Sequence, residues 1–120
     1  MSGLYGLFFR QGGRSTDVLL NQLSYQSKHR AENLVNLAHD QVGMGVAEPG
    51  TSEFLLTADI RLDNRVELCH QLGLSADATT SESTIVITAY RRWGEAFVGK
   101  LIGDFSFALW DESRQTMICA

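Results

Sequence analysis

The stretch DFSFALWDESRQTMICA, residues 104–120, constrains the fold more than any other part of the chain. Phe105, Phe107 and Leu109 alternate with Ser106, Ala108 and Trp110, the period of two that sends successive strand side chains to opposite faces. ESRQ then turns the chain, and TMICA reads as the partner strand. An apolar strand that stops with the chain leaves an open sheet edge, which invites aggregation unless something covers it. The expectation is therefore an incomplete fold, a fragment of something longer.

Upstream of the hairpin, SESTIVITAYRRWG has helical spacing. Ser81 is placed to cap it, with Ile85, Ala89 and Trp93 on one face and Val86 and Tyr90 beside them. EAFVGKLIG reads as a second short helical piece. DNRVELCHQLG is expected to be a helix capped by Asp63, with Val66, Leu68 and Leu72 as its apolar side and Gly73 in the left-handed terminating position. LSADATT is the loop between the two helices. Strands are expected over residues 3–10 (GLYGLFFR), 42–47 (VGMGVA) and 53–60 (EFLLTADI), with EPGTS as a turn between the last two. STDVLLNQLSYQ reads as a helix capped by Ser15 or Thr16, and SKHRAENLVNLAHD as a polar loop with a helical turn. Antiparallel hairpins separated by a helical block give an α+β class.

Composition narrows the function. A length of 120 residues fits one domain, and the net charge of −4 comes with scattered basic residues rather than a patch, which excludes a nucleic-acid footprint. No run approaches the roughly 18 apolar residues of a membrane span, and no signal-peptide pattern opens the chain, so a cytoplasmic location is expected. Cys69 and Cys119 have no metal-ligand spacing and are expected to be buried, reduced thiols. His29, His39 and His70 read as solvated residues, and Asp104 and Asp111 as turn and cap residues. Trp93, Phe97, Phe105, Phe107 and Trp110 read as core, and the early glycines form no phosphate loop.

The run ADIRLDNRVEL … SESTIVITAYRRWGEAFVGKLIGDFSFALWDESRQTMICA resembles the N-terminal glutaminase domain of the asparagine synthetase family, the class II glutamine amidotransferases. The likeness is best over residues 53–120 and weaker at the first dozen. It implies an Ntn-hydrolase-like αββα sandwich of two antiparallel sheets. Residues 1–120 would be a truncated type 2 glutamine amidotransferase-like domain, with the synthetase domain absent. In that family the chain begins Met-Cys-Gly-Ile, and the freed cysteine attacks the glutamine side-chain amide while its own α-amine acts as base. Here Ser2 stands at the nucleophile position, followed by Gly3.

Three departures bear on activity. The family's NGEIYN segment supplies an Asn side chain and a Gly N–H to the oxyanion; matched through VEL, this chain places Asp59 and Ile60 there, and only Asn64 persists. The family's RGPD stretch has no counterpart. Its LGHRRL, whose arginine holds the glutamine carboxylate, aligns with VGMGVAE, which has no basic residue. Glu82 falls where the family uses an Asp for the substrate amino group.

The resemblance thus implies a non-catalytic module of an ATP-dependent amide ligase, of the asparagine synthetase type or like the lasso-peptide macrolactam and β-lactam synthetases. No catalytic or substrate-binding residue is expected to be functional, with Ser2, Asp59, Ile60 and Glu82 marking degenerate positions, and no metal ligand is expected. No cofactor is expected on this chain, while ATP and Mg²⁺ would serve the synthetase domain. The expected partner is the protein's own C-terminal synthetase domain, with a peptide or small molecule as the parent's substrate, neither nucleic acid nor membrane, and the oligomeric state left open. Two alternatives remain: an N-terminal-serine amidohydrolase acting on an amide other than glutamine, and a stand-alone interaction module.

Overall fold

Each stretch with a clear period of two forms a strand in the computed structural model, which describes the backbone of residues 5–8, 35–39 and 42–46 and the whole of residues 53–120. The order is β1 (Tyr5–Phe8), β2 (Val35–His39), β3 (Val42–Val46), β4 (Phe54–Leu62), α1 (Arg65–Leu72), α2 (Glu82–Trp93), a 3₁₀ helix (Gly94–Lys100), β5 (Gly103–Asp111) and β6 (Thr116–Cys119). The class is α+β. The helix expected over STDVLLNQLSYQ lies outside the described residues.

Two three-stranded sheets form, in the orders β1-β3-β2 and β4-β5-β6. In the first, β3 pairs antiparallel with both neighbours, so that Gly43 stands opposite Leu7 on one side and Ala38 on the other. β2 corrects the sequence reading, which made residues 27–40 a polar loop. Val35, Leu37 and His39 alternate with Asn36 and Ala38, and a strand this short is hidden by the polar residues before it. A second correction concerns β3 and β4: these neighbours in sequence belong to different sheets. Periodicity identifies a strand but not its partner.

The residues divide into two compact units, with boundaries at Asp59/Ile60 and Ser106/Phe107. In the first, Leu55 and Trp110 form a buried cluster on which Ala108 and Met117 pack. All of Phe54, Leu55, Leu56 and Thr57 are buried, so this end of β4 is covered on both faces. β5 alternates as far as Leu109, and Leu109, Trp110 and Asp111 are then buried in succession. The β5–β6 turn is held by Asp111, whose Oδ1 accepts from Ser113 Oγ (2.8 Å) and the Arg114 N–H (3.2 Å). Gln115 adopts the left-handed conformation at φ 51° that the tight turn demands, and its Nε2 donates to the Glu112 carbonyl at 2.8 Å.

Thr57 is the exception in this core. It is 2% exposed, and its Oγ1 has no hydrogen-bond partner among the described residues. A buried hydroxyl left unpaired keeps its desolvation cost. Thr57→Val, which swaps that hydroxyl for a methyl of similar shape, is expected to raise stability by about 1 kcal/mol. A urea titration showing an unchanged or lower midpoint would mean that the hydroxyl is satisfied.

In the second unit, α2 starts where the sequence indicates: Ser81 Oγ accepts from the Thr84 N–H at 3.1 Å. Ile85, Val86, Ala89 and Tyr90 are buried. Trp93 is only partly covered, and Lys100 Nζ lies 4.8 Å from the centroid of its ring. Gly94, at φ 60°, ends the helix, and the 3₁₀ turn brings Phe97 edge-on to Tyr90, with ring centroids 5.8 Å apart. α1 ends at Gly73 in the expected left-handed conformation. Its N-cap is Asn64, not Asp63, and Asn64 makes no side-chain cap bond. Val66, expected on the apolar side, is 69% exposed; Leu68 and Cys69 are the buried pair. Cys119 is also exposed, contrary to expectation, because β6 lies at the edge of its sheet.

Candidate functional site

The described positions that the resemblance matches to the glutamine site fall on two elements, β4 and α2. Ser2 lies outside the described residues. Asp59 and Ile60 are successive residues of β4, the first exposed and the second half-buried. Successive strand residues point to opposite faces, so an Asn-then-Gly pair needs the glycine only for its backbone N–H. Asp59 offers a carboxylate instead of an amide donor, and Ile60 adds a branched side chain. A carboxylate accepts but does not donate when ionised, so it opposes the charge of an oxyanion.

Glu82 is the first residue of α2, a position where the helix N-terminus favours an anion. Its carboxylate is already matched. Arg65 Nη1 donates to Glu82 Oε1 at 2.7 Å, and Arg65 Nη2 donates to the carbonyls of Asp77 (2.7 Å) and Thr80. The other oxygen, Oε2, is shielded and has no partner among the described residues. One guanidinium therefore ties the start of α1 to the loop before α2 and to the first turn of α2. A planar fork with five donors can do this; an ammonium cannot hold the same three acceptors in one plane.

The loop is closed on itself as well. Asp77 accepts from Ser75 Oγ at 2.6 Å, from Thr79 Oγ1, and from the Thr79 N–H at 2.9 Å. Those hydrogen bonds, from Ser75 first and then Thr79, lower its carboxyl to about 2. Sequence reasoning missed Arg65, and the only signal available was a lone basic residue after a helix cap.

Asn64, which the resemblance matches to the last residue of the family motif, spends its amide on architecture. Its Nδ2 donates to the Lys100 carbonyl at 2.9 Å, and its Oδ1 accepts from the Ile102 N–H at 3.0 Å. Beside it the Asp63 N–H donates to the Ile102 carbonyl at 2.7 Å. Asp104, read as a turn residue, pairs with Arg61 at 2.8 Å, and Arg61 also reaches Asp63 at 3.4 Å. These exposed pairs contribute little to stability. His70 is exposed on α1, as expected. Among the described residues, no three His, Cys, Asp or Glu side chains converge to hold a metal ion, and no helix is long and apolar enough to cross a membrane.

The family model for the glutamine amidotransferase domain matches residues 29–120, and the chain belongs to that family. It is similar to a putative glutamine-hydrolysing asparagine synthetase of Mycobacterium tuberculosis, 25% identical over 92 residues that cover 73% of this chain and 14% of that protein. It is also similar to Amidase chry2 of Gibberella zeae, 48% identical over 40 residues, and to Amidase chyE of Penicillium rubens, 46% identical over 41 residues. Each fungal match covers about a third of this chain (33% and 34%) and 6% of the relative. The chain therefore spans only a small part of the relatives it matches.

Proposed function

We propose that this chain is a glutaminase-like module that does not hydrolyse glutamine, part of an ATP-dependent amide ligase of the asparagine synthetase type. The observation that carries the reading is the Arg65–Glu82 pair at 2.7 Å. The carboxylate at the position of amino-group recognition is neutralised from within the chain and has no exposed oxygen free for a substrate ammonium. Asp59 supports the same reading, because replacing one oxyanion donor costs about 10²–10³ in rate even before a carboxylate is put in its place.

In this reading the fold is the αββα sandwich of N-terminal-nucleophile hydrolases, and the module serves as a platform for a synthetase domain. That domain would activate a carboxylate with ATP and Mg²⁺, and an amine already on the peptide or small-molecule substrate would close the amide, as in the lasso-peptide macrolactam and β-lactam synthetases. In this reading ATP and Mg²⁺ serve the synthetase domain. The setting would be cytoplasmic.

The test is a glutaminase assay on the chain with Met1 removed. No glutamate release above buffer is expected, with Ser2→Ala indistinguishable from the parent chain. Hydrolysis that Ser2→Ala abolishes would overturn the reading. The likeness to two proteins named amidases favours a second reading, in which Ser2 cleaves an amide lacking the amino-acid head group. A Ser2-dependent release from simple primary amides, with none from glutamine, would select it.

A further inference from the structure

We propose that the outward face of α1 is a docking surface for a basic protein segment that carries an exposed aliphatic side chain. Among the described residues the exposed large hydrophobic side chains are Val66 (69%) and Ile102 (58%). They flank the same residue: Val66 follows Asn64 by two positions, and the Ile102 N–H is held by Asn64 Oδ1 at 3.0 Å. Ile102 is thus fixed in place by hydrogen bonds through both its N–H and its carbonyl, not loosely displayed.

Helix formation does not explain Val66. A β-branched residue loses side-chain freedom in a helix, and an exposed position is better served by Ala, Glu or Lys. Positions 63, 66, 67, 70 and 71 recur at helical spacing, opposite the buried Leu68 and Cys69. Together with Asn64 they line an open depression of about 630 Å³.

Charge selects the occupant. The rim carries the carboxylates of Asp63, which shares Arg61 with Asp104, and of Glu67, while the Arg65 guanidinium beside them is turned to Glu82. Glu67 accepts one long bond, from Gln71 at 3.3 Å, and no described cation pairs with it. A second copy docking this face on itself would oppose Asp63 and Glu67 to their own images, in a chain of net charge −4. A segment with Lys or Arg around one aliphatic anchor matches both the Glu67 charge and the exposed Val66 side chain of the depression.

The test uses the whole chain, ¹⁵N-labelled, titrated with a short helical peptide of leucine and lysine and, separately, with its leucine–glutamate counterpart. Amide shifts confined to residues 63–71 and 102 are expected with the basic peptide only, weakening as salt rises. Val66→Ser should loosen binding about tenfold, the loss of one buried valine, and Glu67→Lys should loosen it further while leaving the fold intact. Four results would overturn the proposal. These are shifts spread over other surfaces, equal binding of the acidic peptide, no effect of Val66→Ser, or self-association of the free chain that Val66→Ser removes. The last would assign the face to a second copy.

Discussion

Gly103→Ala is expected to destabilise the chain by about 3 kcal/mol or more. A Cβ at this position would stand 2.0 Å from the Arg61 carbonyl oxygen and 3.1 Å from the Asp63 nitrogen. Both neighbours are backbone, so no side-chain rotation relieves the clash. The glycine also has φ 148°, a conformation that residues with a side chain rarely adopt. The substitution therefore has to push apart the ends of β4 and β5, where Arg61 and Asp104 also pair. Gly99 is the control. A Cβ there meets nothing within 4 Å, and Gly99→Ala is expected to be neutral or to stabilise by up to about 1 kcal/mol, through the unfolded chain. Urea midpoints measured side by side decide the matter. If the two variants are equally stable, the close approach of Gly103 to Arg61 does not exist in solution.

Arg65→Ala should cost about 2–3 kcal/mol. It removes three charge-assisted hydrogen bonds and leaves Glu82 without its counter-ion. The pair is not deeply buried, with side chains 22% and 34% exposed, so the loss stays below that of a fully buried ion pair. Glu82→Gln in the Arg65→Ala background should recover part of the loss, because the stranded negative charge is then gone. A double-mutant cycle measures the coupling. Coupling near zero would mean that Arg65 acts only through the Asp77 and Thr80 carbonyls. The same variant bears on function: if freeing Glu82 lets the chain bind glutamine, the ion pair is what blocks that position.

Local signals in the sequence were legible and distant ones were not. Ser81, Gly73 and the face of α2 could be read because each depends on neighbours within a turn or two. Asp63 and Asn64 are both good capping types, and the choice between them was settled by acceptors and donors at Lys100 and Ile102, 36 and 38 positions away. Val66 was misplaced because the polar pattern of α1 defines a face poorly, and Cys119 because exposure at a sheet edge depends on strand order. Family membership was legible in the aromatic, glycine and aspartate positions of AYRRWGEAFVGKLIGDFSFALWD. The engagement of Glu82 was not, because nothing in the spacing of Arg65 and Glu82 announces that a loop folds back to join them.

Asn64 has a consequence for how relatives of this chain are compared. An asparagine that matches a catalytic signature is easily counted as a mark of chemistry. In this chain it is a corner bracket, one amide bridging the entry to a helix and the segment that leads into a strand. A match at that column scores the joinery of the domain, and says nothing about whether a pocket still works.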